Sequence, residues 1–147
     1  MADRKLKLII ELAPATSWYT NLRSILPREK WGKIKKFVYS KYDHKCQTYK
    51  SKGKIHCHEV WFYDDVNHIQ KLKGLVALCE WCHHIKHIGL AGIIRGQLDY
   101  EKLIKHFMKM NDCDRFTFTK HKDEAFKIWE KRSKYEWQID LGKLSVK

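Results

Sequence analysis

The chain has 147 residues, 44% of them hydrophobic, with six Trp, seven Tyr and six Phe. That is enough bulky apolar material for the core of one domain, and it excludes a disordered tail. Thirty Lys and Arg against 17 Asp and Glu leave a formal net charge of +13, and basic charge at this density attracts polyanions, nucleic acid foremost.

No apolar stretch approaches the ~20 residues a membrane-spanning helix needs. The start, MADRKLKLIIEL, holds an apolar run too short for a secretory signal, closed by Glu11. A cytosolic location is expected, where disulfides are rare and five unevenly spaced cysteines suit metal binding better.

In chain order, residues 6–12 (LKLIIEL) read as a short strand or the first turns of a helix. The stretch APATSWYTNLRSILP is irregular, with Trp18 and Leu22 expected on the core. Pro27 opens a helix. From Glu29 to Tyr42 the residues Trp31, Ile34, Phe37, Val38 and Tyr42 recur at helical spacing, with Lys30, Lys33, Lys35 and Lys36 on the opposite face. Residues 43–54 are polar and turn-like. IHCHEVWFY reads as a strand, DDVNHIQKLKG as a loop and LVALC as a short buried strand or helix entry. HHIKHIGL has helical character until Gly89. Leu98, Leu103, Phe107 and Met110 then predict a helix, NDCDRFTFT interrupts it, and Thr119 is the expected cap of a second helix with Phe126, Trp129 and Trp137 on its inner face. The predicted architecture is α+β: one domain over 1–147, its core motif at about 43–91 between helical flanks at 28–42 and 98–137.

Seven of the nine histidines and four of the five cysteines lie between His44 and His87. Cys79 and Cys82 form a C-x2-C knuckle, a spacing that grips one zinc through a tight turn. Cys46 is the obvious third ligand. A second knuckle would need a cysteine where Tyr49 stands, so the fourth ligand falls to Cys57, His44 or His56. His83 and His87, four apart on a helix, present both imidazoles to one side. His84 points elsewhere. On the strand, HCHE places His58 and Glu59 some 25 residues before that helix. A neutral imidazole can accept the proton of a water attacking phosphorus, and a divalent ion neutralises phosphate charge and stabilises the leaving oxygen.

These residues resemble the HNH endonucleases, also called ββα-metal or His-Me finger nucleases. The motifs that carry the resemblance are Cys46, HCHEVWFYDD from His56 to Asp65, and LKGLVALCEWCHHIKHIGLA from Leu72 to Ala91. The likeness is greatest to small bacterial and phage members with a CHE-[IV]-W-x-YDD signature, and it extends to ELAPATSWYTNLRSILPREKW and RSKYEWQIDL in the flanks. The resemblance implies a β-hairpin followed by a helix, a metal-dependent endonuclease hydrolysing DNA phosphodiester bonds, and a bacterial or phage-infected cytoplasm. The implied metal ligands are His83 and His87 on the helix and His58 on the strand, around Mg²⁺, Mn²⁺ or Zn²⁺. The family's strand carries a pair, metal ligand then general base, usually Asp-His or His-His. Here two registers stay open: Cys57-His58 makes His58 the base, and His58-Glu59 makes His58 a ligand and Glu59 the base. The better basicity of imidazole near neutral pH favours the first. The family's middle asparagine falls near Gly74, and Tyr49 replaces a knuckle cysteine.

For a structural zinc the expected set is Cys46, Cys79, Cys82 and Cys57. Lys33, Lys36, Lys45 and Lys86 are the candidate phosphate contacts, which hold double-stranded DNA without reading its sequence. Trp61, Phe62 and Tyr63 are expected in the core, and Asp64 and Asp65 in a turn. The alternative function is a zinc-stabilised nucleic-acid-binding module that has lost catalysis.

Overall fold

IHCHEVWFYD and IQKLKGLVALC, both rich in β-branched and aromatic residues, pair as an antiparallel hairpin. The structure is a computed structural model; it describes residues 5–17, 20–50 and 53–144 and, over 89–99, the backbone alone. The two strands are β1 (Ile55–Asp64) and β2 (Ile69–Cys79). The turn between them is short because Asp64 caps it: Oδ1 accepts from the amides of Val66 (3.1 Å) and Asn67 (3.0 Å), and Oδ2 from Asn67 Nδ2. His68 completes the reversal at φ 55°. The loop expected over DDVNHIQKLKG is therefore confined to residues 65–68, and Ile69 onward is paired strand.

Pairing slips by one residue between Val60 and Trp61. The slip sets Leu72 rather than Lys73 opposite Trp61, so the apolar face stays continuous. Gly74 sits at this irregularity opposite Val60, and a Cβ there would meet nothing within 4 Å. A third strand, β3 (Gln138–Asp140), adds in parallel to β2 from Ile69↔Gln138 to Lys71↔Asp140. Trp137, expected on the inner face of a helix, instead leads into β3, with its indole N–H donating to the Arg132 carbonyl at 2.9 Å.

Five α-helices complete a mixed α+β arrangement among the described residues. The short α1 (Leu22–Ile25) carries a capping box from Asn21 and Ser24. The α2 helix (Arg28–Lys41) buries Trp31 and Val38, whereas Phe37, expected in the same stripe, is 70% exposed. After β2 come α3 (Glu80–Lys86) and α4 (Ile88–Asn111), broken only at His87, whose φ of −116° and ψ of 40° end one helix and begin the next. The helix expected to stop at Gly89 thus runs on through it. Leu98 lies outside the described side chains. Asp112, in the left-handed region, terminates α4, and Asp114 caps α5 (Arg115–Arg132) by accepting from Thr117 N at 2.8 Å. Thr119, the expected cap, lies inside α5.

Residues 6–12 form neither strand nor helix. Leu8 and Ile10 are buried, and side chains satisfy their backbone. Asn111 Oδ1 accepts from the Lys7 and Leu8 amides, its Nδ2 donates to the Leu8 carbonyl, and the Ile10 amide donates to His121 Nε2. Trp18 lies outside the described residues. The hairpin's two faces feed separate cores. On one, Val76 and Leu78 meet Leu8, Ile85, Phe107 and Phe118; on the other, Trp61, Leu72 and Leu75 meet Leu22, Trp31 and Leu141. No helix among the described residues is long and apolar enough to cross a membrane.

Candidate functional site

Successive strand residues point to opposite faces, and this alternation sorts HCHE. His56 and His58 face the side of the hairpin where α3 packs, opposite Leu78 and Val76. Cys57 and Glu59 face the second core, opposite Ala77 and Leu75. On α3 and its C-terminal cap, His83 and His87 are one turn apart, with the His87 amide donating to the His83 carbonyl at 3.3 Å. The structure brings His58, His83 and His87 together: one ring nitrogen from each lies within 4.8 Å of the others. Their ring centroids are 5.5 Å (His58–His83), 5.2 Å (His58–His87) and 4.9 Å (His83–His87) apart.

Two of these imidazoles, His83 and His87, suit a metal because burial disfavours their protonated forms. Burial, reinforced by the neighbouring histidines, pushes His83 down to about 3 and His87 down to about 4. His56 stacks on His83 at 5.0 Å, and its buried Nε2 has no hydrogen-bond partner among the described residues. A hydrogen-bonding vacancy beside three converging nitrogens fits an ion or its water.

Two further groups reach this site. Glu11 Oε2 lies 3.2 Å from His58 Nε2, and Glu11 Oε1 accepts from Lys86 Nζ at 2.8 Å. The Glu11 amide also donates to the Lys86 carbonyl. Burial of Glu11 opposes its ionisation, but His58 and Lys86 outweigh it and bring the carboxyl down to about 2. It is a fixed negative charge beside the three imidazoles. Sequence spacing gave no sign of Glu11, which is 47 residues from His58 and 75 from Lys86.

Three cysteine sulfurs form a second group that could hold a metal: Cys46, Cys79 and Cys82, all buried, have their Sγ atoms within 4.8 Å of one another. Cys79 caps α3, and Sγ accepts from the Cys82 amide at 3.5 Å. Cys46 repeats that turn, with Sγ accepting from the Tyr49 amide at 3.4 Å. The three thiols are strongly coupled: hydrogen bonds among them favour ionisation of Cys46 and oppose it at Cys79 and Cys82.

Cys57, the expected fourth sulfur, does not join them. It sits on the opposite strand face, packs in the second core, and is raised to about 11 by burial. His44 is exposed in the turn after α2. His106, which no spacing singled out, does reach the group, with Nε2 3.2 Å from Cys82 Sγ.

Glu59, expected beside the metal in one register, is turned away. Its Oε1 accepts from the Leu22 amide at 2.7 Å and Oε2 from Trp61 Nε1 at 3.2 Å, with burial raising its pKa. Glu59→Ala strands both donors and is expected to cost ~2 kcal/mol, lowering the melting temperature by about 5 °C for a chain of this length. Metal titration should show the His58 group unaffected; loss of metal from a folded Glu59→Ala chain would return Glu59 to the site.

Of the candidate phosphate contacts, Lys33 and Lys36 are exposed on α2 and Lys45 pairs with Asp43 at 3.5 Å. Lys86 is buried against Glu11 and is not a surface contact. Asp65, placed in the turn as expected, pairs with Arg132 at 2.8 Å. Comparison of the chain with family models, with curated proteins and with solved structures gives no match.

Proposed function

We propose that the chain is a metal-dependent endonuclease of the HNH type, hydrolysing phosphodiester bonds of DNA, with the β1–β2 hairpin and α3 as a ββα-metal core. The observation that carries this reading is the convergence of His58, His83 and His87 on a chain of net charge +13. A divalent ion here supplies Lewis acidity toward phosphoryl and leaving oxygens.

The chain's own residues do the rest. His58, His83 and His87 would hold the ion through their converging ring nitrogens, which puts His58 in the ligand register. Glu11 stays ionised and adds negative charge that favours a cation, while Lys86 fixes its orientation. His56, also lowered by burial and therefore unprotonated at neutral pH, is the imidazole outside the trio that can take a proton from attacking water. Exposed Lys33 and Lys36 hold backbone phosphates, a contact that positions duplex without reading its sequence.

Supercoiled plasmid tests the reading. Relaxation or linearisation should require Mg²⁺ or Mn²⁺ and stop with EDTA. The alternative, a zinc-stabilised module that binds DNA without cutting, is supported by the turning away of Glu59; it predicts DNA retention that survives EDTA and no nicking with any metal.

A further inference from the structure

The turn at Cys46 has the knuckle geometry with one sulfur missing. In Cys79-x2-Cys82 the amide of the last residue donates to the first sulfur at 3.5 Å, and in Cys46-x2-Tyr49 the same bond is 3.4 Å. The backbone is bent for a fourth thiolate, but a phenol side chain stands in its place. Three thiolates alone leave a tetrahedral zinc site open.

On the Cys82 side of the group stands His106, from α4. Its Nε2 is 3.2 Å from Cys82 Sγ, and Tyr49 packs edge-on against its ring at 5.6 Å. Lys109, one turn further along α4, donates to the Tyr49 hydroxyl at 3.2 Å and lies over the Tyr49 ring at 5.1 Å. Tyr49 therefore braces the imidazole from the position the missing cysteine would occupy. Two donors on one tetrahedral zinc, at ~2.0–2.3 Å from it, stand about 3.3–3.7 Å apart, so the separation between His106 and Cys82 is close to that of ligands sharing an ion.

The geometry points to a closed Cys3His zinc site, with Cys46, Cys79 and Cys82 as thiolates and His106 as the fourth ligand. Three sulfurs and one imidazole select zinc over hard cations. With four protein donors no position remains for water, so the site is structural. It ties the turn after α2, the end of β2 with the start of α3, and the C-terminal third of α4 to one atom. This rests on the thiolate group as a metal site and not on the hydrolytic reading.

Cobalt(II) replaces zinc and reports its ligands by visible absorption. The test uses the full chain carrying His83→Ala, so that the histidine trio does not contribute. One equivalent of Co²⁺ should bind with the intense bands of a tetrahedral thiolate site. Adding His106→Ala should weaken Co²⁺ binding at least ~100-fold. Adding His106→Cys instead should keep tight binding and shift the spectrum to that of four thiolates. An affinity and spectrum unchanged by His106→Ala would overturn the assignment. So would a His106→Cys chain that retains the original spectrum, a result that stands even if His106→Ala does not fold. DNA enters none of these measurements, so loss of nuclease activity and loss of this site are read separately.

Discussion

Replacing His83 with alanine is expected to reduce metal-dependent plasmid cleavage roughly 10³-fold, about 4 kcal/mol in the barrier. His83 stands between the other rings of the site: it contacts His58, His87 and His56, at centroid distances of 5.5, 4.9 and 5.0 Å. Removing it deletes one of three converging nitrogen donors and would leave an ion with two. The fold should survive, because the buried side chains of α3 are Cys82, Ile85 and Lys86, and His83 is partly exposed. Alanine also favours the helix over histidine. Circular dichroism and melting temperature should therefore match the parent chain while initial nicking rates fall. His44→Ala, an exposed imidazole in the turn after α2, is the matched control and should leave the rate unaltered. Equal cleavage by the His83→Ala and parent chains would remove the trio from the chemistry.

The largest effect on stability is expected at Phe107. Its ring is fully buried, crosses Phe118 at 5.1 Å and stacks on His121 at 5.6 Å. It thereby joins α4, α5 and the N-terminal segment, whose Ile10 amide is held by that same His121. Phe107→Ala leaves a cavity where three segments meet. The expected cost is ~4 kcal/mol, which for a chain of this size lowers the melting temperature by about 10 °C or more. Phe116→Ala, 76% exposed at the start of α5, should change stability by less than ~0.5 kcal/mol. Calorimetry on the two variants checks both values; a Phe107→Ala chain that melts with the parent would mean that this core is loosely packed.

The parts of the structure legible in the sequence are those set by local pattern. The strand around His58, the α2 helix and the knuckle at Cys79 follow from spacing over a few residues. The one-turn separation of His83 and His87 survives even though His87 leaves helical geometry, because its amide still bonds to the His83 carbonyl. What escaped depends on distant partners. Three residues of β3 are too short to show alternation, and their pairing with β2 spans nearly half the chain. Glu11 closes an apolar run, and nothing nearby marks it as an ion-pair partner of Lys86. His106 is an isolated histidine on a helix, without motif context. Cys57 and Glu59 were misplaced for another reason. Sequence brings them next to His58, whereas strand alternation turns them from it; both faces of the hairpin are covered, so only the face on which α3 packs decides which set reaches the site. The Asp114 cap was missed in favour of Thr119 because both residues are good caps, and the left-handed Asp112 that ends α4 sets the earlier restart.

The α3 helix has seven residues, with sulfur donors at Cys79 and Cys82 on its leading end and imidazoles at His83 and His87 on its trailing end. A peptide of that length has no lasting helicity in water. Its order is borrowed from side chains at both ends, so its amide protons should exchange at rates governed by what those side chains bind rather than by helix propensity. This short segment is in effect a splint between a cluster of sulfurs and a cluster of imidazoles, and oxidising the sulfurs should be felt at the imidazoles without any ligand passing between them.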